Sequence, residues 1–482
     1  MFKKINFGKS AGEEERSEYP DLIIDGFYDF NNAIDNLVNK SAFLVQGFKG
    51  SGKSTIAEKI CMTKIQNQPI FSDLIYLKDF SFSKFSKIYP GTEDELIKFP
   101  RTWRYILLGV ILNNYKKNIE KTNTEWTNEV LEIDQSIKKL KDLGLLTSGN
   151  LNNLTTNASK KKFMVALPKI IEYSNEIESI SDNDVNFDNV TEVFFDIASK
   201  IKKKTIIVID GLDDVLINNP LQLNTLSSLI FEASNLNRKF KLDNTPVKIC
   251  ILIRVDLYER LPGGNKNKTS QDSNVLINWY NDSLDIEQTH LVKAADLRVK
   301  LSLGNKYNLK CFFDEYTNAS KSQRNNKTLS YLIEYTRHTP RDFFQLLKSI
   351  QSHYNQVNES VKITDDEIFK GIREYSNGYF LPEIRDEISG YIENDIFESF
   401  LIAIAKIKQR EFKFQNLLTH FQSEGNDINN LDMLLQVLFK CSAIGQKFDG
   451  DKYEYVYRNK YAKFDKSKTI CLHRGLWKAL NL

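Results

Sequence analysis

Apolar and polar positions along the chain alternate between two periods, and the changes of period mark its elements. Residues 42–45 form a short apolar run stopped by a Gly-rich turn, and residues 55–64 follow with apolar positions at helical spacing, which predicts strand, loop, helix. Residues 74–77 predict a weaker second strand. Trp103, Ile106, Leu107, Val110 and Ile111 then recur at helical spacing. From about 80 to 200 the pattern is mostly helical, with polar interruptions at 147–159 and 179–189, and reads as an insertion whose apolar stripes are core. Residues 205–209 and 247–253 are β-branched runs of the kind buried on both faces of a parallel sheet. The helical stretch 221–235 between them makes a strand, crossover, strand unit, so the pattern predicts an α/β doubly wound fold. Helical spacing returns over 291–350.

The last hundred residues change character. Three short helices are predicted at 395–408, 414–422 and 430–440. Two strand-like runs then flank Asp449-Gly450-Asp451, a hairpin signal, with Tyr453, Tyr455 and Tyr457 alternating against polar or smaller residues. Three helices and a hairpin outline a winged-helix domain. The expected organisation is a flexible tail at 1–20, an α/β domain at 21–290 with a helical insertion at about 80–200, a helical region at 291–380 and the winged helix at 381–482.

The sequence Gly47-Phe48-Lys49-Gly50-Ser51-Gly52-Lys53-Ser54 gives this frame its chemistry. It fits G-x-x-x-x-G-K-[ST] between a predicted strand and a predicted helix, the setting that a phosphate-binding loop needs. Gly47, Gly50 and Gly52 let backbone N–H groups turn inward with that of Ser51. Lys53 neutralises phosphate charge, and the helix beginning at Ser54 and Thr55 adds its positive end. Ser54 offers a hydroxyl to Mg²⁺, and Asp210, ending the strand 205–209, offers a carboxylate to the same ion. The residue after Asp210 is Gly211, which cannot activate water. Asp213 and Asp214 are the nearest carboxylates, and Asp213 is the candidate base, or else the N-cap of the next helix. Arg254 ends the strand 247–253 on the same sheet edge, where a guanidinium suits a terminal phosphate or a surface ion pair. Arg341, after Thr339-Pro340, is a second such candidate, its direction set by the proline at helical entry.

Composition narrows the field. The 482 residues, 41% apolar, suffice for a sizeable core, and 66 Lys+Arg against 63 Asp+Glu leave a net charge of +3, so no global field marks a nucleic-acid or membrane-surface protein. The charge runs at 160–162 and 202–204 read as solvated faces. Five scattered cysteines show no metal-ligand spacing and read as reduced thiols. The first 16 residues lack an apolar signal core, and the longest apolar run, 105–112, is well short of the roughly 20 residues of a membrane span. A cytoplasmic protein without a membrane partner is expected.

Together these residues resemble the STAND and AAA+ branches of the P-loop ATPases, from about Asp21 to the end. GFKGSGKS (Gly47 to Ser54) and IIVIDGLDD (Ile206 to Asp214) carry most of the likeness. ILIRVDL (Ile251 to Leu257) resembles the family's sensor strand, and RHTPRDF (Arg337 to Phe343) resembles the sensor-2 element of its lid. DGLDD, VLINWYNDSL around Trp279 and LHRGLWKAL (Leu472 to Leu480) are similar to stand-alone bacterial ATPases found among antiviral defence genes. The resemblance implies ATP or ADP with Mg²⁺ gripped where nucleotide-binding domain, lid and winged helix meet. It also implies a nucleotide-controlled switch that forms a homo-oligomer and acts on a separately encoded effector or sensor protein. Gly211 departs from the family pattern and implies slow hydrolysis.

An alternative is a DNA-binding AAA+ ATPase of the origin-recognition or helicase-loader type. The outward row of the 430–440 helix, Asp432, Gln436 and Lys440, is poor for phosphate contact. Residues 451–482 carry eight cations against three carboxylates, with interleaved tyrosines that suit a nucleic-acid wing.

Overall fold

The β-branched run at 205–209 forms a strand buried along its whole length, and strands of the same kind assemble around it. The computed structural model describes residues 1–65, 68–77, 80, 82–85, 88, 94–122, 126–147, 187–212, 219–263, 266–281, 288–317, 326–355, 362–448 and 452–482. Asp213, Asp214, the charge run 160–162 and the hairpin tip 449–451 lie outside the described residues. The chain divides into two compact units. One comprises 31–47 and 53–276, the other Met1–Phe30, Phe48–Gly52 and Ile277–Leu482.

The first unit is built on a five-stranded sheet. Strands β1 (Leu44–Gly47), β2 (Phe71–Tyr76), β3 (Thr205–Asp210), β4 (Val247–Arg254) and β5 (Asn274–Ile277) lie in the order β2-β3-β4-β1-β5. The pairs β2/β3, β3/β4 and β4/β1 are parallel. Every residue of β3 is buried, as is all of β4 but its last, because helices cover both faces and leave no polar side. Those helices are α1 (Lys53–Met62), α2 (Glu95–Lys121), α3 (Asn128–Asp142), α4 (Phe187–Ser199), α5 (Pro220–Leu242) and the short α6 (Val255–Arg260). Asn219 and Pro220 start α5: the Asn219 side chain accepts from the backbone N–H of Leu221, and proline is preset for the first helical position. Trp103 on α2 is fully buried and donates its indole N–H to the Thr225 carbonyl of α5 at 2.8 Å, which locks the two longest helices together. Beside it Arg104 pairs with the buried Glu232 at 2.6 Å. The apolar stripe read at 103–111 is therefore core.

The chain leaves β1 toward β2 on one side, and leaves β4 toward β5 on the other. Carboxyl ends of neighbouring parallel strands with opposite exits form the crevice in which open α/β sheets take ligands. Gly47 and Arg254 are register partners there, as are Tyr76 and Asp210.

The second unit holds the residues expected as a flexible tail, and here the structure corrects the sequence. Phe2, Ile5 and Phe7 are buried. The Phe2 ring packs on Phe312 and Tyr354 at centroid distances of 5.3 and 5.8 Å, and the Gln351 amide donates to the Phe2 and Ile5 carbonyls. Polar residues between the three apolar anchors hid them from a running average. The remainder is largely helical: α7 (His290–Leu303), α8 (Pro340–His353), α9 (Asp365–Tyr375), a π-turn at Ser376–Phe380 that runs into α10 (Leu381–Ile388), then α11 (Asn394–Ile407), α12 (Phe414–Gln422) and α13 (Ile428–Lys440). Strands β6 (Glu411–Phe412), β7 (Ile444–Phe448), β8 (Lys452–Glu454) and β9 (Thr469–Leu472) form an antiparallel sheet in the order β6-β9-β7-β8. Only two of these strands were anticipated; β6 is two residues long and β9 is separated from β8 by fourteen residues. Among the described residues no helix is long and apolar enough to cross a membrane.

Candidate functional site

In the first unit the carboxyl edge of the sheet gathers six of the residues marked out by sequence, Gly47, Lys53, Ser54, Thr55, Asp210 and Arg254. Gly47 ends β1, and Lys53 opens α1 with Ser54 and Thr55 half-buried in the first turn. The Lys53 side chain is 6% exposed and its ammonium donates to the Gly47 carbonyl at 3.4 Å, so it is folded back over the strand end. Asp210, 4% exposed, ends β3 and accepts from the backbone N–H of Gly211 at 2.8 Å, a turn in which Gly211 takes φ +77°. Arg254 ends β4 and grips Asp256 with two hydrogen bonds, Nε to Oδ1 at 2.9 Å and Nη2 to Oδ2 at 2.8 Å. Burial pushes the Asp256 carboxyl up, but the charge and hydrogen bonds of Arg254, with Lys53 adding to them, hold it below the usual carboxylate range. Asp256 was not foreseen. Its only sequence signal is an acid two residues beyond Arg254 in the first turn of a helix, a placement that the helix dipole favours anyway.

In the second unit the loop Phe48–Gly52 lies against the start of α8. Gly50 and Gly52 take φ +77° and +91°, values that L side chains rarely adopt. A Cβ on Gly50 would stand 3.1 Å from the Arg341 Cβ and 3.2 Å from the Thr339 hydroxyl, so glycine is required there by packing as well as by φ. The Gly50 carbonyl accepts from the Arg341 backbone N–H at 3.3 Å, and the Ser51 carbonyl from the Trp279 indole at 2.9 Å. Thr339 caps α8 by accepting from the Asp342 N–H, with Pro340 at the first helical position as the sequence anticipated. The Ser51 hydroxyl is buried and has no hydrogen-bond partner. An orphaned buried hydroxyl between two left-handed glycines is a cradle with donors to spare, the polar environment that an anion satisfies.

Around this loop runs a charged cluster invisible in the sequence. Lys49 pairs with Glu383 at 2.9 Å and approaches Glu387 at 3.8 Å, and Arg341 reaches Glu383 at 3.5 Å. Behind them Arg337 binds Glu387 at 2.6 Å and takes Asp342 in a fork, Nε at 2.9 Å and Nη2 at 3.2 Å. Burial disfavours charge on Asp342, yet Arg337 and the Tyr379 hydroxyl hold its carboxyl below the usual range. Spacings of five, forty-odd and three hundred residues carry no local signal, so only folding reveals the cluster.

Two of the tyrosines offered for the alternative of a nucleic-acid wing are enclosed. Tyr455 and Tyr457 are buried, and Tyr457 stacks on His338 at 5.0 Å. Arg458 is bound to Glu334 at 2.8 Å and lies over the rings of Tyr280, Tyr455 and Tyr457. Lys466 is paired with Asp432 of α13. Tyr455 and Tyr457 are covered by Tyr280, His338 and His473, and the local cationic excess is partly neutralised by carboxylates distant in sequence.

Residues 289–381, from the start of α7 to the start of α10, match a family model described as a FunZ-associated C-terminal helical domain. No curated protein matches the chain.

Proposed function

We propose that this protein is a Mg²⁺-dependent ATP-binding switch with slow ATP hydrolysis, which oligomerises and controls a separately encoded partner, in keeping with the resemblance to bacterial defence ATPases. The observation that carries the nucleotide reading is the loop between β1 and α1, in which two left-handed glycines flank a buried hydroxyl without a partner. The residues fit a polyphosphate. Backbone N–H groups of Gly50 and Gly52 supply the nest and Lys53, next in the chain, the neutralising ammonium, while Arg254 in one unit and Arg341 in the other are each candidates for further guanidinium charge. Mg²⁺, when bound, supplies charge neutralisation at the phosphates, with Ser54 and Asp210 as its protein oxygens, the small protein contribution usual for this ion. Among the described residues no group of three or more His, Cys, Asp or Glu gathers to hold a metal by itself.

Asp256 orients Arg254, and Gly211 after Asp210 offers no base, which supports slow turnover. Burial of Tyr455 and Tyr457 and the pairing of Arg458 and Lys466 favour a protein partner over DNA for the C-terminal module. The test is calorimetric titration of the full chain with ATP and ADP, with and without Mg²⁺, beside Lys53→Ala. Binding that Lys53→Ala abolishes supports the reading, and equal affinity of the variant refutes it. Titration with labelled duplex DNA at two salt concentrations separates the partners: ATP-dependent binding with a steep salt slope would replace the protein-partner reading by the initiator or loader reading.

A further inference from the structure

The cations around the Phe48–Gly52 loop are already matched. Lys49, Arg337 and Arg341 face Glu383, Glu387 and Asp342, three positive groups against three negative ones. An anion added beside this neutral cluster gains cationic contact only if a carboxylate gives some up.

The three carboxylates are not equally able to do so. Asp342 is fully buried, held by the Arg337 fork and the Tyr379 hydroxyl. Glu387 is 4% exposed and shares Arg337, itself 7% exposed, at 2.6 Å. Separating either pair strands a charge away from water, which costs several kcal/mol. Glu383 differs. It is 14% exposed and its two cationic partners, Lys49 at 2.9 Å and Arg341 at 3.5 Å, are 26% and 29% exposed. One of those partners belongs to the loop itself. The other donates its backbone N–H to the loop's Gly50 carbonyl. The contacts of Glu383 are thus the more exposed ones of the cluster, and both lead to the loop read as the phosphate site.

We infer that Glu383 sets the affinity of the nucleotide site, as an internal anion that competes with nucleotide phosphate for Lys49 and Arg341. This rests on the reading of the loop as a phosphate site. A ligand must offer more charge to these two cations than one carboxylate does, so Glu383 weakens the binding of every nucleotide that reaches them. Exchange also releases Glu383 from the loop, which frees the first turn of α10, while Arg337 with Asp342 and Glu387 stays in place as the fixed half of the cluster.

The test uses the full chain and a fluorescent N-methylanthraniloyl derivative of ATP, read by its fluorescence change, so turnover is not needed. Glu383→Gln keeps shape and removes charge; it is expected to tighten binding by about three- to tenfold, the size of one partly exposed ion pair. In an Arg341→Ala, Lys49→Ala background the same substitution is expected to change affinity less than twofold, because the competition has lost its object. Glu383→Asp, with the charge retained, should bind within about twofold of the parent. Melting curves of each variant confirm folding. Binding by Glu383→Gln equal to or weaker than the parent, with the Lys53→Ala control still negative, overturns the competition while leaving the nucleotide reading intact. Absence of Lys53-dependent binding in the parent sinks the nucleotide reading, and the competition with it.

Discussion

Each unit presents an arginine forked onto an aspartate, and the two forks differ in almost everything but geometry. Arg254 and Asp256 stand two residues apart at a strand end, with side chains 21% and 32% exposed. Arg337 and Asp342 stand at a helix start, 7% and 0% exposed, with Glu387 as a third member at 4%. Water reaches the first pair and screens it, so its partners can exchange at little cost. The second is sealed; its members were desolvated on folding and remain stable only together. The same bidentate chemistry therefore gives a movable guanidinium at the sheet edge and a fixed framework beside the loop.

The largest expected effect tests that contrast directly. Arg337→Met leaves Asp342 and Glu387 without their cation and is expected to lower unfolding stability by about 3–5 kcal/mol, whereas Arg254→Met should cost about 1 kcal/mol or less. Urea unfolding of both variants measures the difference, and equal losses would dissolve the distinction.

Acid sensitivity should follow the sealed side. His473 is fully buried beside Arg337, its ring stacked on Phe380 at 4.9 Å and its Nδ1 accepting from the Gly475 N–H. Burial first, and the Arg337 charge second, push its pKa down from 6.5 to about 3. The folded protein excludes a proton that the unfolded chain takes up, so this stability is fully present above pH 6.5 and is lost as pH falls from 6.5 toward 3. The slope is about 1.4 kcal/mol per pH unit within that window. Glu334 enters lower. Burial raises its carboxyl, but His338 and Arg458 bring it down to about 2, so its contribution fades only below pH 4.5. His290, lowered by burial, and Glu232, raised by burial, also act between pH 6.5 and 4.5, so the His473 share is read as the difference between the parent and His473→Asn, which retains a capping acceptor and should reduce the slope of the melting temperature with pH.

Two smaller substitutions sharpen the loop. Gly50→Ala meets both a left-handed φ and the Arg341 Cβ, while Gly52→Ala meets only the φ, since nothing lies within 4 Å of its Cβ position. A loss of about 1–2 kcal/mol is expected for each from strain, with the larger fall for Gly50→Ala by differential scanning calorimetry. Removing the α8 cap in Thr339→Ala should cost about 1 kcal/mol and leave the sheet edge unaltered.

Local order was readable along the chain. Continuous β-branched runs at 205–209 and 247–253 are satisfied between two layers of helix, and the stretch Gly47–Ser54 stands out because its glycines, lysine and serine recur at fixed spacing between a strand and a helix. Pro340 likewise announced the start of α8. Amphipathic spacing placed α11 to α13 within two residues of their ends and α5 at its start, but stopped α5 at 235 where it runs on to Leu242.

What the sequence withheld was everything that depends on partners far away. Phe2, Ile5 and Phe7 look like scattered apolar residues in a polar leader until Phe312 and Tyr354 cover them. Tyr455 and Tyr457 alternate as on an exposed hairpin until His338 and Arg458 stack over them. Glu383 and Glu387 are two ordinary helix acids until the fold sets Lys49 and Arg337 against them. Propensity and spacing act over a turn of helix or a strand, so the elements and the loop were fixed by neighbours in the chain. Desolvation and charge pairing act through space, so which residues are buried, which charges are matched and which remain exchangeable were decided only when distant segments met.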